Sequence, residues 1–102
     1  MNNNSATQDR DFVEYIVKQI VDNPDQVVVE RTVDEMGVLI TLKCAKEDMG
    51  KVIGKSGQTA KSIRILLRVI GSKNNARVNL KIVEPDGTEV NNNANIDADL
   101  GV

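Results

Sequence analysis

Histidine and tryptophan are absent from the 102-residue chain, and cysteine occurs only once, at Cys44. The lack of histidine excludes a Ser-His-Asp triad, a Cys-His dyad and an imidazole metal site. A single cysteine cannot form an internal disulfide or a cysteine-based zinc site, and it fits a reducing compartment. We therefore predict a protein that is not an enzyme and that holds no metal or other cofactor.

Aromatic residues are scarce as well, since only Phe12 and Tyr15 occur. This scarcity argues against nucleic-acid-binding folds that stack bases on aromatic rings, such as the RRM and the OB-fold. No apolar run approaches the roughly 20 residues that a membrane-spanning helix needs. The N-terminal Met-Asn-Asn-Asn-Ser lacks the basic and apolar regions of a signal peptide. We expect a soluble, cytoplasmic protein.

The spacing of apolar residues predicts six elements in the order αββααβ. They are a helix over 9–22, strands over 26–33 and 38–45, a short helix over 46–53, a helix over about 58–70 and a strand over 76–83. We place Phe12, Tyr15 and the thiol of Cys44 in the core, with base stacking by the two aromatic rings as the alternative. Gly71 is expected to end the long helix. An α+β fold follows, with a three-stranded sheet and the helices packed on one face.

The length and the 40% of hydrophobic residues support one folded domain. We predict a flexible N-terminal tail over 1–8, the domain over 9–85 and a flexible, acidic, Asn-rich C-terminal tail over 86–102. The last stretch is polar and has no clear period, so it has little apolar surface to offset the entropy of ordering.

The net charge of −2 hides an uneven distribution. Residues 43–81 hold ten basic and two acidic groups, a net of +8, whereas the rest of the chain holds three basic and thirteen acidic groups, a net of −10. A charged run is ordinarily a solvated surface. Here, however, the basic residues cluster around a Gly-x-x-Gly turn between two helices, which favours a binding site for a polyanion.

That turn is Gly54-Lys55-Ser56-Gly57, preceded by Val52 and Ile53. Glycine at both ends allows a close approach of the backbone to a ligand, and the helix N-terminus that follows suits phosphate groups. The triplet Gly54-Lys55-Ser56 also resembles the end of a P-loop. A P-loop requires glycine where this chain has Met49, and it follows a strand rather than a helix.

Val-Ile-Gly-Lys-Ser-Gly resembles the GxxG signature of KH domains, which bind RNA and single-stranded DNA. The order αββααβ is similar to that of type II KH domains. The resemblance covers about residues 10–84, and over Phe12 to Asn23-Pro24 and over 52–64 it narrows to the bacterial stand-alone, KhpA-like KH proteins. It implies a single-stranded RNA-binding protein whose GxxG loop clamps about four nucleotides.

The resemblance also implies the residues of the site. The loop would contact phosphates, an apolar floor would lie under the bases, and two basic residues would flank it. Core packing is the alternative role for the three floor residues, Ile53, Ala60 and Ile63. The full set of predicted RNA-binding residues is Ile53, Gly54, Lys55, Ser56, Gly57, Ala60, Lys61, Ile63 and Arg64. The small Ala60 floor and the scarce aromatics predict weak, poorly sequence-specific binding that falls with salt.

Ile65 and Val69 lie off the apolar stripe of the long helix. They indicate either a wider buried face or an exposed contact patch. The family resemblance implies a homodimer, or a heterodimer with a larger KhpB-like KH protein, and roles as an RNA chaperone and post-transcriptional regulator linked to cell elongation and cell-wall homeostasis. A protein–protein adaptor with residual nucleic-acid binding is the alternative, and single-stranded DNA remains an alternative ligand.

Overall fold

A computed structural model describes residues 7–89 of the chain. Most of the two predicted tails, residues 1–6 and 90–102, lies outside the described residues, so the division into tails and domain stays a prediction.

The helices and strands follow the predicted order. They are helix α1 (Gln8–Ile20), strands β1 (Val28–Asp34) and β2 (Gly37–Lys43), helices α2 (Met49–Ile53) and α3 (Gln58–Lys73) and strand β3 (Val78–Val83). Short 3-10 turns at Pro24–Gln26, Lys46–Asp48 and Lys55–Gly57 precede β1, α2 and α3. None of the helices within residues 7–89 is long and apolar enough to cross a membrane.

The three strands form one mixed sheet in the order β1-β2-β3. β1 and β2 are an antiparallel hairpin in which Val28 lies opposite Lys43, while β2 and β3 run parallel with Val38 opposite Val78. Parallel neighbours need a long crossover, and the segment from α2 to α3 supplies it. This arrangement confirms the α+β class and is consistent with a type II KH fold.

Alternation along β2 and β3 turns one sheet face toward the helices, where Ile40, Leu42 and Ile82 are almost fully buried. α1 packs on β1, and α3 packs on β3. Val13 and Val17 of α1 and Leu67 of α3 fill the layer between helices and sheet, each with no exposed surface. The opposite face of β2 is only half-buried at Leu39, Thr41 and Lys43. The helices therefore cover one face of the sheet, as predicted.

Two predictions about single residues are wrong. Tyr15 lies on the outer side of α1 with 65% of its surface exposed, while Phe12 does pack against the core. α3 does not end at Gly71 but continues to Lys73. Gly71 is buried inside the helix. A Cβ at this position would lie 2.5 Å from the carbonyl oxygen of Ala76, so only glycine fits there. Gly71 is therefore a close-packing residue rather than a helix terminator.

Candidate nucleic-acid interface

The GxxG loop (residues 54–57) joins the end of α2 to the start of α3, and three of its four residues have positive φ angles. Gly54 has φ 80° and ψ 171°, a region open almost only to glycine, and Ser56 and Gly57 have left-handed values of 54° and 74°. The Gly54 N–H donates to the Gly50 carbonyl at 2.8 Å, and the Gly57 N–H donates to the Gly54 carbonyl at 3.1 Å. These bonds fix a tight turn that projects the exposed Lys55 and Ser56 into solvent.

Thr59 lies directly over Gly54. A Cβ on Gly54 would lie 2.7 Å from both the backbone nitrogen and the Cβ of Thr59. The glycine is therefore required by two independent constraints, its φ/ψ values and the space that the first turn of α3 occupies.

The N-terminus of α3 opens at the loop without local neutralisation. In the described part of the chain, no side chain caps this end, and its first turn contains no acidic residue. A helix N-terminus carries a partial positive charge and unsatisfied N–H groups, which favour anions. Lys55 and Lys61 add two full positive charges beside it, and neither forms an ion pair among residues 7–89.

The other predicted site residues differ in their accessibility. Ala60 and Ile63 are buried in the core with 0% and 3% of their surface exposed, which favours their core role. Ile53 and Lys61 are half-buried, so Ile53 is the member of the predicted apolar floor that keeps an accessible side chain. Arg64 reaches across to β3, where its Nη2 donates to the Leu80 carbonyl at 3.3 Å.

A groove of about 970 Å³ lies between α3 and the outer edge of β3, and we call it the β3 groove. Arg64 lines it, together with three basic residues that the sequence did not assign to the site, Arg68, Arg77 and Lys81. The structure thus brings together the loop at one end of α3 and a basic groove along the rest of that helix.

The observed topology and loop agree with a family model described as KhpA/KhpB, KH domain, which matches residues 10–82. The chain belongs to the KhpA/KhpB KH-domain family. Proteins named RNA-binding protein KhpA are similar to it. That of Listeria monocytogenes is 45% identical over 69 residues, 68% of this chain and 91% of the relative. That of Chlamydia caviae is 43% identical over 75 residues, 74% of this chain and 96% of the relative. No solved structure gives a significant match.

This KH family is not enzymatic, as the lack of histidine predicted. The one thiol agrees with that conclusion. Cys44 of the KH domain is buried, as predicted, with its Sγ 3.4 Å from the Met49 Sδ. Desolvation, with a further contribution from Asp48, raises the pKa of Cys44 to about 11, so the side chain is a neutral thiol at physiological pH.

A buried carboxylate holds the KH domain together behind the loop. Asp48 has no exposed surface and accepts hydrogen bonds of 3.0–3.1 Å from the backbone N–H groups of Asp22 and Asn23 and from Asn23 Nδ2. Desolvation raises the pKa of Asp48, but the hydrogen bonds from Asn23 and Asp22 and the charge of Lys51 lower it, and the net pKa lies below its ordinary value. Asp48 thereby ties the end of α1 to the start of α2.

The sequence reasoning missed Asp48, Thr59 and the basic residues of the β3 groove. The sequence offers no local signal for the first, because the N–H groups of Asp22 and Asn23 that need an acceptor lie about 25 residues before Asp48 and meet it only in the fold. No signal existed for Thr59, since its role arises from a contact with Gly54 through space. Arg68 and Arg77 were counted in the basic segment, but only the tertiary structure places them in one groove.

Proposed function

We propose that this KH domain binds single-stranded RNA and clamps the sugar-phosphate backbone with the GxxG loop. One observation supports the proposal most strongly: a loop with three positive φ angles opens into the uncapped N-terminus of α3. Phosphate oxygens are the ligands that such a backbone turn and helix terminus suit best. The relatives named RNA-binding protein KhpA support RNA as the polyanion.

In this proposal the RNA continues from the loop into the β3 groove. Lys55 and Lys61 neutralise the phosphates at the loop, and Arg68 and Arg77 neutralise those farther along α3. Ile53 offers a small apolar surface to a base, and no aromatic ring lines the groove. Since phosphate contacts outnumber base contacts, binding is weakly sequence-specific and weakens steeply as salt increases.

The cellular role that we propose is that of a cytoplasmic RNA chaperone and post-transcriptional regulator that acts with a KhpB-like KH protein. Support comes from the family itself, whose model covers both KhpA and KhpB. A link to cell elongation and cell-wall homeostasis belongs to the same proposal and rests on family resemblance alone.

The test changes Lys55 and Ser56 together to Asp, which removes one positive charge and introduces two negative charges at the tip of the loop, a net change of −3. Asp tolerates the left-handed conformation of Ser56, so we expect the fold to persist. RNA affinity, measured by titration of a labelled single-stranded oligomer at low salt, should fall at least about ten-fold, because the carboxylates repel phosphates.

The matched control is Lys18→Asp with Gln19→Asp, which makes the same change in charge at two exposed positions on α1. It should bind RNA nearly as well as the parent. Undiminished binding by the loop variant, or an equal loss in both variants, would refute the role of the loop. Equal affinities for RNA and DNA oligomers of one sequence would refute a preference for RNA.

A second function is supported by an exposed apolar strip on α3. Ile65, Leu66 and Val69 expose 41%, 47% and 61% of their surfaces, which is unusual for aliphatic side chains on one helix. We propose that a second copy of the chain packs against this strip to form a homodimer, with a KhpB-like protein as the alternative occupant.

Sedimentation of the parent and of Ile65→Asp tests the second function. We expect a dimer for the parent and a monomer for the variant, because a carboxylate in an apolar interface must be desolvated. A parent that stays monomeric at high micromolar concentration contradicts self-association, and pairing with a KhpB-like protein would then be the occupant to test.

A further inference from the structure

A single acidic side chain lies in the basic β3 groove. Glu89 lines the groove together with Arg64, Arg68, Arg77 and Lys81, and it is the one acidic residue among the described residues that do so. Its carboxylate lies 4.0 Å from the Lys81 Nζ. A phosphate of RNA in this groove would meet the same lysine, so the groove already holds an anion of its own.

A turn after β3 brings Glu89 to this place. The Gly87 N–H donates to the Glu84 carbonyl at 2.8 Å, and the chain reverses its direction there. Glu89 then pairs antiparallel with Val83, the last residue of β3. We call residues 84–89 the terminal turn. Because its end is paired to β3, the terminal turn holds Glu89 at the edge of the groove.

Two hydrogen bonds to Thr88 tighten the terminal turn. The Thr88 carbonyl accepts from the Glu84 N–H at 2.8 Å, and the Thr88 N–H donates to the Asp86 Oδ1 at 2.9 Å. Gly87 at the tip has a φ angle of 93°, a value that favours glycine. The backbone of the turn, rather than the ion pair alone, therefore sets the position of Glu89.

The contact between Glu89 and Lys81 is one that a phosphate can replace. The side chains are 50% and 40% exposed, so the contact buries neither of them. An exposed ion pair of this kind contributes little to stability. A phosphate carries negative charge as a carboxylate does, and it accepts the same charge-assisted hydrogen bonds from lysine. RNA can therefore displace the Glu89 carboxylate without unfolding the domain.

We propose that Glu89 is a built-in competitor of RNA, which occupies a phosphate position in the β3 groove and is displaced when RNA binds. The inference rests on the proposed RNA-binding function and adds a regulation of that same site. Lys81 must exchange one anion for another when RNA binds, so the groove binds RNA more weakly than its basic residues alone would allow. A change that opens the terminal turn raises the affinity for RNA.

Titration of a labelled single-stranded RNA oligomer at low salt tests the competition in the full chain. Glu89→Gln removes the negative charge, and RNA affinity should rise about two- to five-fold, as expected when RNA no longer has to break one exposed ion pair. The matched control Asp25→Asn removes one negative charge at an exposed position outside the groove and should leave the affinity nearly unchanged. An equal rise in both variants would overturn the competition, because RNA would then respond to overall charge.

Gly87→Val separates the position of Glu89 from its charge. A Cβ at Gly87 meets no other atom of residues 7–89 within 4 Å, but a β-branched residue is strained at a φ angle of 93°. The strain opens the terminal turn while Glu89 stays in the chain, so RNA affinity should rise nearly as much as in Glu89→Gln. Unchanged affinity in both variants would overturn the proposal. A rise in Glu89→Gln alone would overturn the role of the turn.

Lys81→Gln identifies the partner of the carboxylate. In the parent, Glu89 and RNA compete for this lysine, whereas in Glu89→Gln the lysine is open to a phosphate. Its removal should therefore cost about two- to five-fold more RNA affinity in the Glu89→Gln background than in the parent. Equal losses in the two backgrounds would overturn Lys81 as the site of the competition.

The same titrations separate this inference from the function on which it rests. Failure of the parent and of every variant to bind RNA would contradict the proposed function, and the competition with it. Parental affinity in Glu89→Gln, together with weakened binding in the variant that carries Asp at positions 55 and 56, would overturn only the competition.

Discussion

The two sides of the molecule treat their basic residues differently. On the side of α1 and β1, all three basic residues are paired: Arg10 with Asp11 and Glu14, Lys18 with Glu14, and Arg31 with Asp9, at 2.9–3.2 Å. On the side of α2, the loop, α3 and β3, most basic residues have no acidic partner among residues 7–89. Lys51 pairs with Asp22, and Lys81 lies at the limit of an ion pair with Glu89.

This difference shows that the number of basic residues is a poorer guide to a polyanion site than the extent to which nearby acidic residues neutralise them. Paired charges on α1 produce little field beyond their own contacts, whereas Lys61, Arg68 and Lys73, which form no ion pair within residues 7–89, sum to a positive surface along α3. A net charge of −2 is therefore compatible with a polyanion site, because the acidic residues lie mostly outside the basic segment. The comparison predicts where substitutions should affect RNA binding and where they should affect stability alone.

The largest effect is expected from Gly54→Ala, which removes the shape of the loop but keeps its charge. Gly54 combines φ/ψ values almost restricted to glycine with a close contact to the Thr59 backbone. We expect a loss of about 3 kcal/mol in the free energy of unfolding, measured by denaturant titration, together with weaker RNA binding. If RNA binding persists undiminished in the folded variant, charge alone makes the interface.

The control for this substitution is Gly50→Ala in the same segment. Nothing lies within 4 Å of a Cβ at Gly50, which is an exposed position in α2. Ala is the better helix former, so the free energy of unfolding should rise by up to about 1 kcal/mol. A loss of stability at both glycines would mean that α2, rather than the loop, is the sensitive element.

The sequence predicted the order of the helices and strands and the basic segment better than the packing of individual side chains. The helix stripe through Ile63 and Leu67 and the alternation in β2 are local patterns, so the element order follows from them. Tyr15 lies outside the core, contrary to the prediction, because apolar spacing along a helix does not determine how wide the buried face of α1 is. Gly71 was misread because its constraint is the Ala76 carbonyl, a contact that only the fold creates.

A second prediction concerns Asp48, which links the two sides through Asp22 and Asn23. Its pKa is lowered in the folded state, so its contribution to stability is fully present above the unfolded pKa of about 3.9 and is lost as the pH falls through the lower folded value. Asp48→Asn leaves buried donors facing an amide N–H₂ group. We expect the melting temperature at pH 7 to fall by roughly 10 °C.

The pH dependence separates this role from a merely steric one. Thermal melts from pH 7 down to pH 2 should show that the difference between the parent and Asp48→Asn narrows as the pH falls below about 4, because Asp48 of the unfolded parent binds a proton there before the folded carboxylate, with its lowered pKa, does. A constant difference across this range would show that the charge of Asp48 does not contribute to the fold.

The smallest effect on RNA affinity is expected when a single basic residue is removed. Removing one such residue from each side compares the two sides most directly. Arg68→Ala and Lys18→Ala each remove one positive charge from an exposed position on a helix. Arg68 lines the β3 groove and forms no ion pair within residues 7–89, while Lys18 lies 3.2 Å from the Glu14 carboxylate. Arg68→Ala should weaken RNA binding about three- to ten-fold at low salt, and Lys18→Ala should leave it nearly unchanged.

The salt dependence of RNA affinity provides the sharper measurement for this pair. If Arg68 neutralises one phosphate, its removal should reduce the slope of log affinity against log salt by about 0.7, the value for a single-stranded ligand. Lys18→Ala should keep the parental slope and lower the free energy of unfolding by only about 0.4 kcal/mol, through loss of its (i, i+4) pair. An equal reduction of the slope in both variants would mean that RNA responds to the overall charge of the domain. The distinction between the paired and unpaired basic residues would then have no bearing on binding.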